Sequence, residues 1–177
     1  YGLIHKKVDI NSNFYIDFDA LVDCIDGHTS IVALLNPNNP IGRPFTDEEF
    51  KLIADKTKSA GALLIIDEAY HYFYQGTQID LLKQYDHIII LRTFSKLFSI
   101  AACRIGYAVA SPDIITMINN ARPTFDTNSI ALLFANEIIN NKQLIDTLIN
   151  EELQGREYLI KWLESNNYQY VYGGGNY

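Results

Sequence analysis

The chain has 177 residues, 48% of them hydrophobic and 20% charged, with a formal net charge of −7. That length suffices for one domain with a real core, and the acidic balance excludes a protein that grips nucleic acid through a general basic face. No apolar run reaches the roughly 18 residues a membrane helix needs, and no signal peptide is visible, so no membrane partner is expected.

Leu3 to Ile10 reads as a short strand leading into a polar turn at Asn11-Ser12-Asn13. Asp17 to Asp26 reads as a short amphipathic helix, with Asp17 or Asp19 as N-cap and Phe18, Leu21, Val22 and Ile25 on one face. Ser30 to Leu35 is an apolar, β-branched run of the kind buried in parallel sheets. It stops at Asn36-Pro37-Asn38-Asn39-Pro40-Ile41-Gly42, where the prolines bar helix and central strand and Gly42 permits positive φ.

Thr46-Asp47-Glu48-Glu49 is a capping box, with acidic residues at the positive end of the helix dipole. Phe50, Ile53, Ala54 and Thr57 follow at helical spacing, and Gly61 ends the helix. Leu63 to Ile66 is a second buried strand that runs into Asp67-Glu68; His87 to Leu91, after the linker Gln78–Tyr85, is a third. Arg104 to Ala110 reads as another strand, and Asp113 to Asn120 and Ser129 to Asn140 as helices. Asp146 to Ser165 is a longer, more polar amphipathic helix, with Leu148, Ile149, Leu153, Leu159, Ile160 and Leu163 as apolar positions and Trp162 beside them. Its length and charge suggest a bridge between two domains, with Tyr168 to Tyr172 as the first strand of the second.

Strands joined by helical connections predict an α/β layered fold with a mostly parallel sheet. Ligands of such sheets bind outside the carboxyl ends of the strands. The places to search are therefore Asn36–Gly42, Asp67–Tyr70 and Thr93–Lys96, each of which directly follows a strand.

The stretch Ile88 to Ala110 is almost wholly apolar or small, yet holds three cations, Arg92, Lys96 and Arg104, and no anion. A lysine in such surroundings is paired, exposed or chemically used, because an isolated buried ammonium is costly. A lysine amine is also a nucleophile toward carbonyl compounds, the aldehyde of pyridoxal phosphate among them. Judged alone, Lys96 reads equally as a solvated loop residue. Asp67, at the end of an apolar strand, needs a cation or a donor, and a protonated pyridine nitrogen is one such partner; a helix N-cap is the plainer reading. Tyr70 and Asn39 can direct a phenol and an amide at an acidic ring oxygen, or serve as a core tyrosine and a turn residue. Thr93 and Ser95 offer hydroxyls and Arg104 a fork of donors suited to a phosphate dianion. Glu68 and His71 read as structural, and Arg92 draws no assignment. Cys24 and Cys103 lack metal-ligand spacing and fit buried thiols in a reducing, cytoplasmic compartment. No metal-ligand cluster is visible.

In order, the chain presents Asn36-Pro37-Asn38-Asn39-Pro40-Ile41-Gly42, Asp67-Glu68-Ala69-Tyr70, Thr93-Phe94-Ser95-Lys96 and Arg104-Ile105-Gly106-Tyr107. Together these motifs resemble the class I/II aminotransferases of the pyridoxal 5'-phosphate (PLP) dependent fold type I group, and in texture the histidinol-phosphate aminotransferases. The resemblance covers essentially the whole chain. It implies a three-layer α/β/α large domain over residues 1–145, and a bridging helix with the start of a small α+β domain over residues 146–177.

It also implies that Lys96 forms the Schiff base with PLP and later moves the proton between substrate Cα and cofactor C4′. By the same resemblance Asp67 pairs with the pyridine nitrogen, and Asn39 and Tyr70 contact the 3′-oxygen. Thr93, Ser95 and Arg104 become phosphate contacts. Ile41 stands where the family usually has threonine, and Cys103 where leucine is common.

The implied activity is transfer of an amino group from a donor such as glutamate to an oxo acid or phosphorylated oxo compound, by a homodimer acting on small molecules. Rivals on the same scaffold are a PLP-dependent decarboxylase or lyase and a non-catalytic PLP-binding sensor; the α-oxoamine synthases tend to have histidine where Tyr70 stands. Family members are longer than this chain, so the chain is expected to be an internal segment. The remaining phosphate amides, the ring-stacking aromatic and the tyrosine lent by the dimer partner are expected before it. The arginine for the substrate carboxylate is expected after it.

Overall fold

The computed structural model describes residues 2–11, 15–40, 43–74 and 76–176. The turn expected at Ser12-Asn13 and the Ile41-Gly42 end of the Asn-Pro loop lie outside the described residues. Four strands, β1 (Ile31–Leu35), β2 (Leu63–Asp67), β3 (Ile88–Thr93) and β4 (Gly106–Ala110), form one sheet in the order β1-β2-β3-β4. The first three are parallel, with Leu35 beside Asp67 and Asp67 beside Leu91; β4 runs antiparallel to β3, with Gly106 opposite Thr93.

Helix α1 (Phe18–Asp23) starts at Asp17, whose carboxylate accepts the amide of Ala20. Helix α2 (Asp47–Ala60) starts at the capping box expected from the sequence: the Thr46 hydroxyl accepts from Glu49 N, and Glu49 accepts from Thr46 N. It ends at Gly61, whose left-handed backbone (φ +71°) is the conformation a side chain resists. Phe50, Ile53, Ala54 and Thr57 are all fully buried, as their spacing predicts. They pack on Val32, Leu34, Leu64, Ile66, Ile88 and Ile90, the side chains on one face of the sheet. The opposite face is exposed at Ile31 and Ala33 and part-covered at Leu63 and Ile65.

Two turns of 3₁₀ helix, Ile79–Lys83 and Ala101–Cys103, flank β3, and a four-residue helix α3 (His71–Tyr74) follows the Asp67–Tyr70 turn. Beyond β4 come α4 (Pro112–Ala121), α5 (Ser129–Asn140) and α6 (Lys142–Ser165). Ala131, Ala135 and Ile138 of α5 form a second core with Phe94, Phe98 and Ile105, so the residues around Lys96 are anchored from that side.

Three expectations need correction. Leu3 to Ile10 is not a strand: among the described residues its sole pairing is an isolated bridge from Ile10 to Ile16, and Leu3 and Ile4 are exposed. Tyr168 to Tyr172 is irregular as well. In both segments the side-chain types favour a strand, but no described strand lies alongside to take up the backbone bonds, and a strand without a partner is not stable. Helix α6 begins earlier than expected, at Lys142, because the Asn141 side chain accepts the amide of Leu144 and Lys142 pairs with Asp146 at 2.7 Å.

Gly106 marks the tightest approach in the sheet: a Cβ there would lie 2.6 Å from the carbonyl oxygen of Arg92. Gly106→Ala is therefore expected to cost about 1–3 kcal/mol by forcing β4 away from β3. Gly27→Ala, where a Cβ meets nothing within 4 Å, is expected to change stability by less than about 0.5 kcal/mol. Urea unfolding of both variants checks the contrast.

Candidate active site

The parallel register brings the ends of β1, β2 and β3 to one edge of the sheet, and the loops that leave it carry the polar residues singled out above. Asn36 is buried at the start of the first loop. Its backbone N–H donates to Asp67 O at 2.9 Å, and its side-chain oxygen accepts from Phe45 N at 3.0 Å. Asn36 thus ties the Asn-Pro loop to β2 through its backbone and to the entry of α2 through its side chain. Asn36–Pro37 and Asn39–Pro40 are both cis peptides.

At the end of the loop the Asn39 amide donates to the phenol oxygen of Tyr70. Tyr70 is buried, and the Lys96 ammonium stands 5.1 Å from the centre of its ring, within the range of a cation–π attraction. The structure thus brings Asn39, Tyr70 and Lys96, from three different loops, into one cluster.

Asp67 terminates β2 half-buried. Burial raises its pKa above the usual carboxylate range, opposed by a hydrogen bond from Ala69 N (3.0 Å) and by the positive charge of Lys96. Its carboxylate closes the turn that leads to Tyr70, and because helix α3 begins only at His71, Asp67 is not the helix N-cap that the plainer sequence reading expected. Thr93 does a matching job at the end of β3: its hydroxyl accepts from Ser95 N at 3.1 Å, one residue before Lys96.

Arg104 has a left-handed backbone (φ 50°) and donates from Nη1 to Ala101 O at 3.0 Å, with its side chain exposed. Because Phe94 N donates to Ile105 O and Gly106 faces Thr93, the antiparallel return of β4 lays the Arg104 backbone along the Thr93–Ser95 turn. Arg104 arrives at this edge because β4 starts where β3 ends. His71 lies 3.0 Å through Nδ1 from Gly76 O, and burial lowers its pKa.

Directly behind this edge stands a pair that the sequence reading did not connect. Glu68 is 1% exposed and Arg92 12%, and their side chains meet at 2.8 Å. The glutamate also accepts from Thr77 Oγ1 and, at 2.7 Å, from Gln78 N. Two cues were present in the sequence: a glutamate directly after a buried strand, and an arginine with no anion in its own segment. Nothing in the spacing said that they meet. Among the described residues no group of three or more metal-ligating side chains converges, and no helix is long and apolar enough to cross a membrane.

The aminotransferase class I and II family matches this chain over residues 3–171, and the chain belongs to that family. Among curated relatives, the histidinol-phosphate aminotransferase of Geobacillus sp. (strain WCH70) is 33% identical over 165 residues, covering 91% of this chain and 45% of its own length. That of Thermotoga neapolitana is 37% identical over 151 residues, covering 85% of this chain and 44% of its own. The chain thus spans a little under half the length of these relatives. Among solved structures, the histidinol-phosphate aminotransferase of Sinorhizobium meliloti in complex with pyridoxal-5'-phosphate superposes with a TM-score of 0.84 at 22% identity, over 96% of this chain and 47% of that one. The sheet and helices are therefore those of the PLP-dependent fold type I enzymes, an α/β fold.

Because folding raises the Asp67 pKa, ionised Asp67 costs stability in the ligand-free protein; the cost appears as pH rises through the folded-state pKa and vanishes once the group is protonated in both states. Asp67→Asn keeps an acceptor for Ala69 N and removes the charge. It is expected to raise the melting temperature of the ligand-free protein at neutral pH, by a margin that shrinks as pH falls into the carboxylate range. Calorimetry of the two proteins over pH reads the effect.

Proposed function

We propose that the whole protein is a PLP-dependent aminotransferase that moves an amino group from an amino acid, glutamate by expectation, to an oxo acid or phosphorylated oxo compound. The histidinol-phosphate type is the first choice. The observation that carries the reading is the convergence of Asn39, Tyr70 and Lys96 beside a half-buried Asp67 with a raised pKa. The named activity of the relatives supports the choice of substrate.

The residues fit the cofactor by their donor chemistry. A half-buried carboxylate gains stability from a cationic partner, which a protonated pyridine nitrogen supplies to Asp67. The Tyr70 phenol, already bonded to the Asn39 amide, is a ready donor to an acidic ring oxygen. Arg104, with Thr93 and Ser95 alongside, offers donors for a phosphate dianion. Lys96 is the amine for the cofactor aldehyde and the base that carries the proton at the substrate Cα. PLP, when bound, supplies the electron sink that stabilises negative charge at that carbon.

The same reading takes residues 1–145 as the cofactor domain and 146–177 as the bridging helix with the start of a second domain. It makes the protein a cytoplasmic homodimer, for which α5 offers Ile130, Leu133 and Phe134 as exposed apolar side chains.

The protein purified with PLP is expected to absorb in the visible and to lose that band on borohydride reduction, leaving a pyridoxyl group on Lys96. Lys96→Ala is expected to lower amino-group exchange between glutamate and an oxo acid by at least about a hundredfold. A pyridoxyl group on another lysine, or none with PLP present, overturns the site. Decarboxylation of an amino acid without oxo-acid turnover overturns the reaction.

A further inference from the structure

We propose that the buried Glu68–Arg92 ion pair is a positioning device, which locks Asp67 and the Thr93–Lys96 turn against each other from the reverse face of the sheet. The inference rests on the proposed roles of Asp67, Thr93 and Lys96.

Placement comes first. Side chains alternate across a sheet, so Leu64, Ile66 and Glu68 point one way and Ile65 and Asp67 the other. Ile88, Ile90 and Arg92 likewise share the α2 face, while Leu91 and Thr93 share the face of Asp67. Each member of the pair is therefore the immediate neighbour, on the opposite face, of a residue assigned to the cofactor. A bond between Glu68 and Arg92 ties the two strand ends together beyond their last ladder pair, Asp67 with Leu91.

The bonding is directional and closed. Arg92 Nε and Nη2 both donate to Glu68 Oε2, at 2.9 and 2.8 Å. Arg92 Nη2 also donates to Thr77 Oγ1 at 2.8 Å, and that hydroxyl donates at 3.0 Å to both carboxylate oxygens. Gln78 N donates to Oε1, and Gln78 Nε2 reaches Asp47 at 3.0 Å, so the network ends on the first residue of α2. On the other side Arg92 meets the hydroxyl of Tyr107, its β4 partner; that contact and Glu68 hold the guanidinium charged against the cost of burial. Tyr107 in turn contacts Tyr72, whose burial pushes its phenol up to about 12.

Stability alone does not account for such a group. Two well-packed apolar residues serve a core as well as a buried ion pair does, or better. What the pair adds is a fixed distance and angle between two chain segments, and those segments carry the site.

The test reads the turns directly. In the cofactor-free protein, amide hydrogen exchange at Ala69 (bonded to Asp67) and Ser95 (bonded to Thr93) is compared with that at Ala54 in α2, for wild type, Glu68→Gln and Arg92→Met. The Ala69 and Ser95 amides are expected to exchange about tenfold faster or more, with Ala54 unchanged, and PLP affinity from absorbance titration is expected to fall by a similar factor well below the melting temperature. Exchange that rises equally at all three amides, or PLP affinity that is unchanged with the pair broken, overturns the proposal.

Arg92→Lys keeps the charge and loses the planar fork; it is expected to recover melting temperature without recovering Ser95 protection. Full recovery of protection overturns a role for the fork. If Glu68→Gln and Arg92→Met do not fold, Thr77→Val removes the hydroxyl shared by both partners and is expected to loosen the same two amides selectively; no loosening overturns the proposal. Absence of PLP binding in wild type sinks the functional reading instead, and the exchange measurement still decides this one.

Discussion

A parallel sheet buries its strands and discharges its polar residues at one edge, and the site follows from that constraint. Leu35, Asp67 and Leu91 stand side by side in register, so the loops after β1, β2 and β3 leave from one line although they are far apart in sequence. Strand β4, antiparallel, begins where the others end and returns Arg104 to the same line. Burial of Leu64, Ile66, Ile88 and Ile90 against Phe50 and Ile53 of α2 holds the register, because a slip by one residue would turn each of these four strand side chains to the wrong face. The core beneath the sheet thus sets the spacing of Asn39, Asp67, Tyr70 and Lys96.

Much of this was legible in the sequence, and for definable reasons. Helix α2 carried its own start, stop and apolar stripe in Thr46, Gly61 and the Phe50–Thr57 spacing, all of them local signals. Strands β1 and β2 announced themselves as apolar runs that stop at Asn36 and Asp67, and β3 as a run ending at Leu91, which the structure extends to Thr93. The misread segments, Leu3–Ile10 and Tyr168–Tyr172, show the limit of such signals, since strand-forming side chains do not reveal whether another strand lies alongside. The same limit hid the partner of Arg92. Its segment holds no anion, and its counter-charge comes from the neighbouring strand, a pairing fixed by register alone. Asn36 escaped notice as a functional residue because a buried asparagine in a proline-rich loop looks, in sequence, like any turn former.

Adjacent residues Asp67 and Glu68 show how one backbone direction separates two kinds of carboxylate. Glu68 faces the α2 side, is almost wholly buried, and has its oxygens met by Arg92, Thr77 and the Gln78 amide. Asp67 faces the open side, where burial raises its pKa and the Ala69 amide only partly offsets that rise. The first carboxylate is satisfied within the protein. The second, in the proposed function, meets a cation from outside. A single residue step along β2 produces the difference, because alternation turns one side chain into the packed layer and the next toward the ligand edge. Under the proposal made for the ion pair, the two belong to one arrangement: a charge left available to a ligand needs a rigid mount, and the network around Glu68 is that mount on the far face of the same two strands.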